Sequence, residues 1–258
     1  MNINKQAERM GKKNKNNQGY LMTIIEYHNA NDIIVEFEDK YRTKVNTRYV
    51  HFVKGDIKNP YHPDLYNVAM NGNKYPSRLN GNKTKEYRAW VNILIRCYDK
   101  KFKEKHKTYQ DVICCKEWLL FDDFYEWLHE QENFEQWFNG RLWAVDKDIL
   151  IKGNKLYCPQ NCCLVPPQVN TLFTKRDSAR SDFTIGVMQH RNKYRGHVSV
   201  NGKQLIMPVR NTVEEAFMDY KAIKEDNIKR IAKMEYEKGN ITKKCYEAMM
   251  SYEVEIND

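Results

Sequence analysis

The chain has 258 residues, 41% hydrophobic and 12% aromatic, which is enough to bury one large core or two to three small ones. A formal net charge of +9 points to a polyanionic partner, because Lys and Arg that neutralise phosphates release condensed counterions. No apolar run approaches the roughly 18 residues that a bilayer span needs, and the polar N-terminus carries no signal-peptide core. Seven cysteines, an odd number without framework spacing, argue against a disulfide-stapled secreted class, so a cytoplasmic protein without membrane attachment is expected.

Residues 1–18, rich in Lys, Asn and Gln, are expected to form a disordered basic arm. A small β module is expected over 19–60. Stretches 22–27 and 32–37 are β-branched and aromatic, the turn former His28-Asn29-Ala30-Asn31 separates them, and 44–52 supplies a third strand. Residues 61–83, with many Asn, Gly and Pro, read as a linker. A helix is predicted over 85–101, where Tyr87, Trp90, Leu94, Cys97 and Tyr98 recur on one face. A second is predicted over 118–131, with Phe121, Phe124, Tyr125 and Leu128 as its buried stripe.

From 143 to 173 the pattern becomes strand, turn, strand and short helix. The turn signal is Lys152-Gly153-Asn154, and Pro166-Pro167 can open the helix. A polar stretch, 174–182, reads as a second linker. Strands are predicted over 184–189, 194–200 and 203–208, the last two joined by Asn201-Gly202, a strong hairpin signal. Thr212 and Glu215 form a capping box that opens a helix whose Ala216, Phe217, Tyr220 and Ile223 face the sheet. Residues 226–258 are expected as C-terminal helices. The sum is an α+β, multi-module chain: an N-terminal β module, a central helical domain over 84–175, and a three-stranded sheet plus helix over 183–225.

The chemistry concentrates in Asp146-Lys147-Asp148, Tyr157, Pro159, Asn161-Cys162 and Asn170. A one-metal nuclease needs a carboxylate and a second ligand to hold Mg²⁺ against the scissile phosphate, with a base to activate water. A hairpin followed by a helix can bring such groups together. This stretch resembles the ββα-metal, or HNH, motif of phage and mobile-element homing endonucleases. Tyr157-Cys158-Pro159-Gln160-Asn161-Cys162 matches the family's Tyr-x-Pro-x-Asn-Cys run. Trp90 with Arg96-Cys97, and Cys115-Lys116-Glu117-Trp118, match its upstream segments. The resemblance implies Mg²⁺ or another divalent cation on Asp146 and Asn170, with Asn161 orienting the base.

The base position, usually histidine, falls on Lys147. Histidine accepts a proton near neutral pH, whereas lysine, with an ordinary pKa of about 10.4, stays charged unless its surroundings depress it. Strand alternation would put Asp146 and Asp148 on one face and Lys147 on the other. That makes Asp148 a further ligand or a base, and leaves Lys147 to bind phosphate. His106 and His129 are the other candidates for a base. The cysteines form no paired Cys-x-x-Cys knuckles, so buried thiols are expected rather than zinc.

In the last third, Arg191, Lys193, Tyr194, Arg195, His197, Lys203 and Arg210 lie on or beside the predicted strands. A sheet of this kind can lie in a DNA groove and present alternate side chains to base edges. Gly186-Val187, Lys193 to Val198, Asn201-Gly202-Lys203 and Thr212 to Tyr220 resemble the Apetala-type (ethylene-response-factor) DNA-binding domain. The chain departs from it at Pro208-Val209-Arg210, where that domain usually has a glycine. Three readings follow from these residues: a Mg²⁺-dependent, site-specific endonuclease acting on double-stranded DNA; a DNA-binding or anti-defence protein that kept the scaffold without cleavage; or an inhibitor that binds a nucleic-acid-binding host protein.

Overall fold

The computed structural model describes residues 3–174, 183–200 and 202–258. It is a mixed α+β structure, 38% helix and 24% strand, with an N-terminal sheet and a C-terminal three-stranded sheet. The chain divides into two compact units, Met1–Leu128 and His129–Asp258. Among the described residues, no helix is long and apolar enough to cross a membrane.

In the first unit, α1 (Ile3–Arg9) leads into β1 (Lys13–Lys15), β2 (Leu21–Asn29), β3 (Asp32–Phe37) and β4 (Lys44–Thr47), which form one antiparallel sheet in chain order. Alternation in β2 and β3 buries Met22, Ile24, Ile33, Val35 and Phe37 on one face. Residues 3–18 of the expected disordered arm are instead structured. β1 pairs with β2, Arg9 lies 3.8 Å over the Tyr49 ring, and the Asn16 side chain, buried, donates to the Ile57 carbonyl at 2.9 Å. Its polar residues are consumed as internal hydrogen-bond partners, which composition alone does not reveal. The third strand stops at Thr47, and α2 (Tyr49–Lys54) follows, ended by Gly55 at φ +70°.

Residues 61–83 hold only the two-residue strands β5 (Arg78–Leu79) and β6 (Asn82–Lys83), yet they are no free linker. The buried Asp122 carboxylate accepts the backbone N–H groups of Asn73, Lys74 and Tyr75 at 3.1–3.3 Å. α3 (Lys85–Tyr98) carries the expected stripe. It ends at Asp99, whose side chain accepts from Phe102 N and starts α4 (Lys100–Lys105). After β7 (Ile113–Cys114), a 3₁₀ turn (Glu117–Leu119) precedes α5 (Phe121–His129), so the predicted second helix starts three residues late.

The second unit holds α6 (Phe134–Asn139), β8 (Ala144–Asp146), β9 (Leu156–Tyr157), β10 (Cys163–Val165) and α7 (Pro167–Phe173). β8 pairs with β10, Asp146 opposite Cys163, so the turn at 152–154 does not close the hairpin. It lies inside the long loop between the paired strands. β11 (Val187–His190), β12 (Lys193–Val200) and β13 (Lys203–Arg210) form the C-terminal sheet, and α8 (Val213–Glu237) and α9 (Lys243–Met250) follow. Val200 pairs with Lys203 and Gly202 has φ +75°, as a two-residue hairpin requires; Asn201 lies outside the described residues, as does most of the predicted second linker.

The capping box is present: Glu215 N donates to Thr212 Oγ1 at 3.2 Å, and Glu215 Oε2 accepts from Thr212 N. α8 buries Ala216, Phe217, Tyr220, Ile228 and Ile231 against the core of this unit. Ile223, expected on that face, is exposed. Lys224 turns inward instead, donating to the Leu172 carbonyl at 2.7 Å. Burial lowers its pKa below the usual lysine value. The Cys163 and Cys245 thiols meet in the core at 3.8 Å.

Candidate functional site

Two surfaces in the second unit gather the residues that the sequence singled out. The first is the loop from β8 to β10. β8 ends at Asp146, so the strand alternation expected across Asp146, Lys147 and Asp148 does not hold. Asp146 Oδ1 accepts the backbone N–H groups of Asp148 (2.8 Å) and Ile149 (2.9 Å), which turns the chain sharply. Burial raises the Asp146 pKa, against the lowering effect of these two N–H donors.

The turn brings the Lys147 side chain onto its own neighbour. Nζ donates to Asp148 Oδ1 at 2.8 Å and Oδ2 at 2.7 Å, and to the Asn154 carbonyl at 2.7 Å. The Lys147 side chain is 6% exposed and that of Asp148 46%. The Tyr157 ring lies 5.9 Å from the ammonium. The expected sorting, two carboxylates on one face and the lysine on the other, is therefore overturned: Lys147 and Asp148 form one ion pair.

Asn154, read from sequence only as a turn residue, organises the loop. Its Nδ2 donates to the carbonyls of Lys147 and Leu156, 2.8 Å each, and its Oδ1 accepts from Leu156 N at 3.1 Å. Asn161 Nδ2 donates to the same Oδ1 at 3.3 Å. Asn161 is thus brought to the lysine loop through Asn154. Asn170 sits in the first turn of α7, its N–H donating to the Pro166 carbonyl. Asn154 could have been suspected from its place after Lys152-Gly153, but its partners are several residues away and only the folded loop names them.

A divalent cation prefers hard oxygen ligands at 2.0–2.6 Å. At Asp148 it would have to displace an ammonium already held by both carboxylate oxygens. Among the described residues, no three His, Cys, Asp or Glu side chains converge as metal ligands would. His106 and His129 pack on aromatic rings, of Phe102 at 4.3 Å and of Phe134 at 3.9 Å. Burial pushes the Cys162 thiol well above its usual pKa; Cys163 is raised likewise, first by its contact with Cys245.

The second surface is the face of the C-terminal sheet turned away from α8. Register pairs Met188 with Arg195, His190 with Lys193, His197 with Ile206, and Ser199 with Gln204. Alternation puts these side chains on one face and Val198, Tyr194 and Val200 on the other, against the helix side. Lys193, Arg195 and His197 therefore stand in line along β12. Gln204 Nε2 lies 3.1 Å from His197 Nδ1, and Arg195 Nε is buried without a hydrogen-bond partner among the described residues. Ile206 (57% exposed) and Met188 (39%) add apolar surface.

The remaining candidates fall elsewhere. Tyr194 packs edge-on against Phe183, in the partly buried layer on the helix side. Arg210, opposite Tyr194, makes a two-pronged ion pair with Asp219 of α8 at 2.7 and 3.0 Å. Arg191 occupies the β11–β12 turn at φ +58° beside the open face, and Lys203 stands at the far hairpin end. Comparison with family models, curated proteins and solved structures returns no match.

Proposed function

We propose that this chain is a double-stranded-DNA-binding protein, and that the open face of its C-terminal sheet is the contact surface. The observation that carries this reading is the line of Lys193, Arg195 and His197 at every second position of β12, on the face that α8 leaves uncovered. Arginine can bridge guanine O6 and N7, lysine neutralises phosphate, and an apolar neighbour such as Ile206 suits a thymine methyl. The chain's +9 charge supplies the sequence-independent part of the attraction.

The loop between β8 and β10 supports a scaffold role for the ββα element, with the Lys147 ammonium as its internal counter-charge. The order of Asp146, Asn161 and Asn170 along a hairpin and helix favours a second reading, Mg²⁺-dependent cleavage. The ion pair of Lys147 with Asp148 weighs against it. The test is fluorescence anisotropy of the full chain on duplex DNA over a salt series, with parallel incubations in Mg²⁺ or EDTA. Binding that falls steeply with salt, weakens in Lys193→Ala and Arg195→Ala, and leaves the duplex intact supports the first reading. Cutting that needs Mg²⁺ and Asp146 supports the second. No affinity for DNA at low salt refutes both, and returns the open sheet face to a protein partner.

A further inference from the structure

The first unit carries a charged corner that the sheet reading does not use. We propose that the exposed lysines of α4 and of the turn after it form a contact surface of their own, a sequence-independent grip on the phosphate backbone of duplex DNA, separate from the open face of the C-terminal sheet.

Residues 100–107 read Lys-Lys-Phe-Lys-Glu-Lys-His-Lys, five lysines against one carboxylate. At about 3.6 residues per turn, Lys100, Lys101, Glu104 and Lys105 share one face of α4, and Phe102 and Lys103 the other. The structure uses the second face internally. Phe102 lies against His106 at 4.3 Å and Tyr109 at 5.4 Å, and Lys103 Nζ donates to the Gln110 and Val112 carbonyls at 3.0 and 3.1 Å. Lys100, Lys101, Lys105 and Lys107 are exposed and, among the described residues, make no ion pair, even with Glu104. Asp99, at the head of the helix, is taken up by the Phe102 N–H and the Tyr66 hydroxyl. Other lysines of the same unit close on carboxylates instead: Lys12 on Glu8, Lys13 on Glu38 and Lys74 on Glu126.

The corner therefore holds itself together through Phe102 and Lys103, while the other four lysines repel one another and hold nothing. A polyanion relieves that repulsion. A membrane-surface helix needs an apolar face free to enter lipid, and the apolar residue of α4 is spent on the aromatic cluster. Single strands are gripped through open aromatic rings on which bases stack, whereas Phe102 and Tyr109 are half-buried on each other. A duplex bears one charge per about 1.7 Å of its axis, so it offers several phosphates to four ammonium groups at once. Such contacts position the chain without reading bases.

The experiment measures binding of the full chain to two duplexes of unrelated sequence over a salt series. One variant combines Lys100→Gln, Lys101→Gln, Lys105→Gln and Lys107→Gln; a second has arginine at the same four positions; a third is Lys193→Ala/Arg195→Ala. Lys103 is left in place because it holds the corner. The glutamine variant is expected to melt like wild type, to bind both duplexes more weakly by the same factor, and to lower the slope of log K against log salt by about 3–4, at about 0.9 per phosphate contact. The arginine variant is expected to keep the wild-type slope. The sheet variant is expected to retain salt-dependent binding that the glutamine substitutions then remove. Wild-type affinity and slope in the glutamine variant overturn the proposal and leave the sheet reading standing. So does loss of all duplex binding in the sheet variant alone, or a glutamine variant that loses phosphatidylserine vesicles but keeps DNA. Binding that ignores the sheet variant and disappears with the four lysines supports this surface and refutes the sheet reading.

Discussion

Replacing Asn154 with alanine tests how the β8–β10 loop is held. Three of the side chain's four hydrogen bonds fall at 2.8–3.1 Å, two as donor to the Lys147 and Leu156 carbonyls and one as acceptor from Leu156 N–H; the fourth, accepted from Asn161 Nδ2, is longer at 3.3 Å. Each net bond contributes about 0.5–1.5 kcal/mol. Residue 154 is half-buried, so water partly replaces the lost partners, and the lower half of the range applies. The expected loss is about 1.5–3 kcal/mol, or roughly 6–12 °C in melting temperature for a unit of this size. Thermal melts and urea titrations of the full chain measure it. Asn154→Asp is a sharper control: it keeps the acceptor but turns a carboxylate oxygen toward two carbonyls, so it should cost at least as much as alanine. A loss below about 0.5 kcal/mol for alanine, or a tolerated aspartate, refutes the assignment of Asn154 as the organiser of the loop.

Three further outcomes follow from the same second unit and from the cysteines. A Cβ at Gly196 would lie 2.7 Å from the Ala216 carbonyl, so Gly196→Ala should push α8 off the sheet at a cost of about 1–3 kcal/mol, seen as a lower urea midpoint; an unchanged midpoint contradicts the close approach. Asp146 has a raised pKa in the fold, so ionising it costs stability as pH rises past the unfolded value and through the folded one, and the cost persists above. Asp146→Asn keeps an acceptor for its two backbone N–H donors and should be more stable than wild type at pH 7, with the gap closing toward pH 4; a variant less stable at every pH is the contrary result. The Cys115 thiol is lowered, first by a hydrogen bond from Cys114, and is only half-buried, whereas Cys162 and Cys163 are buried and raised. Iodoacetamide labelling followed by mass spectrometry at pH 7.5 should modify Cys115 first and Cys163 last; the reverse order rejects these environments.

Short-range signals were legible in the sequence because their partners lie a few residues apart. Thr212 and Glu215 cap α8 within one turn, the alternation of 32–37 defines β3, and the three- and four-residue spacing of Trp90, Leu94 and Cys97 sets the buried stripe of α3. The hairpin joining β12 and β13 belongs to the same class. These features also place Lys193, Arg195 and His197 on a common face, since strand alternation needs no knowledge of the rest of the chain.

What tertiary structure decided lies where a side chain finds a partner that sequence spacing does not name. The strand ends at Asp146, two residues short of Asp148, so alternation does not apply, and the turn that Asp146 makes with the backbone N–H groups of Asp148 and Ile149 folds Lys147 onto Asp148. Strand β8 chose β10 across the whole loop, leaving the turn at 152–154 inside it and giving Asn154 its partners. A register shift between Arg195 and His197 set Arg210 opposite Tyr194 on the helix side, where Asp219 of α8 pairs with it, and the basic N-terminal residues became the edge of a sheet. In each case the polar group satisfied itself at the nearest available charge or backbone group once the core had packed. Composition and spacing identified the charged residues, but the fold determined which of those charges are neutralised internally and which face the solvent.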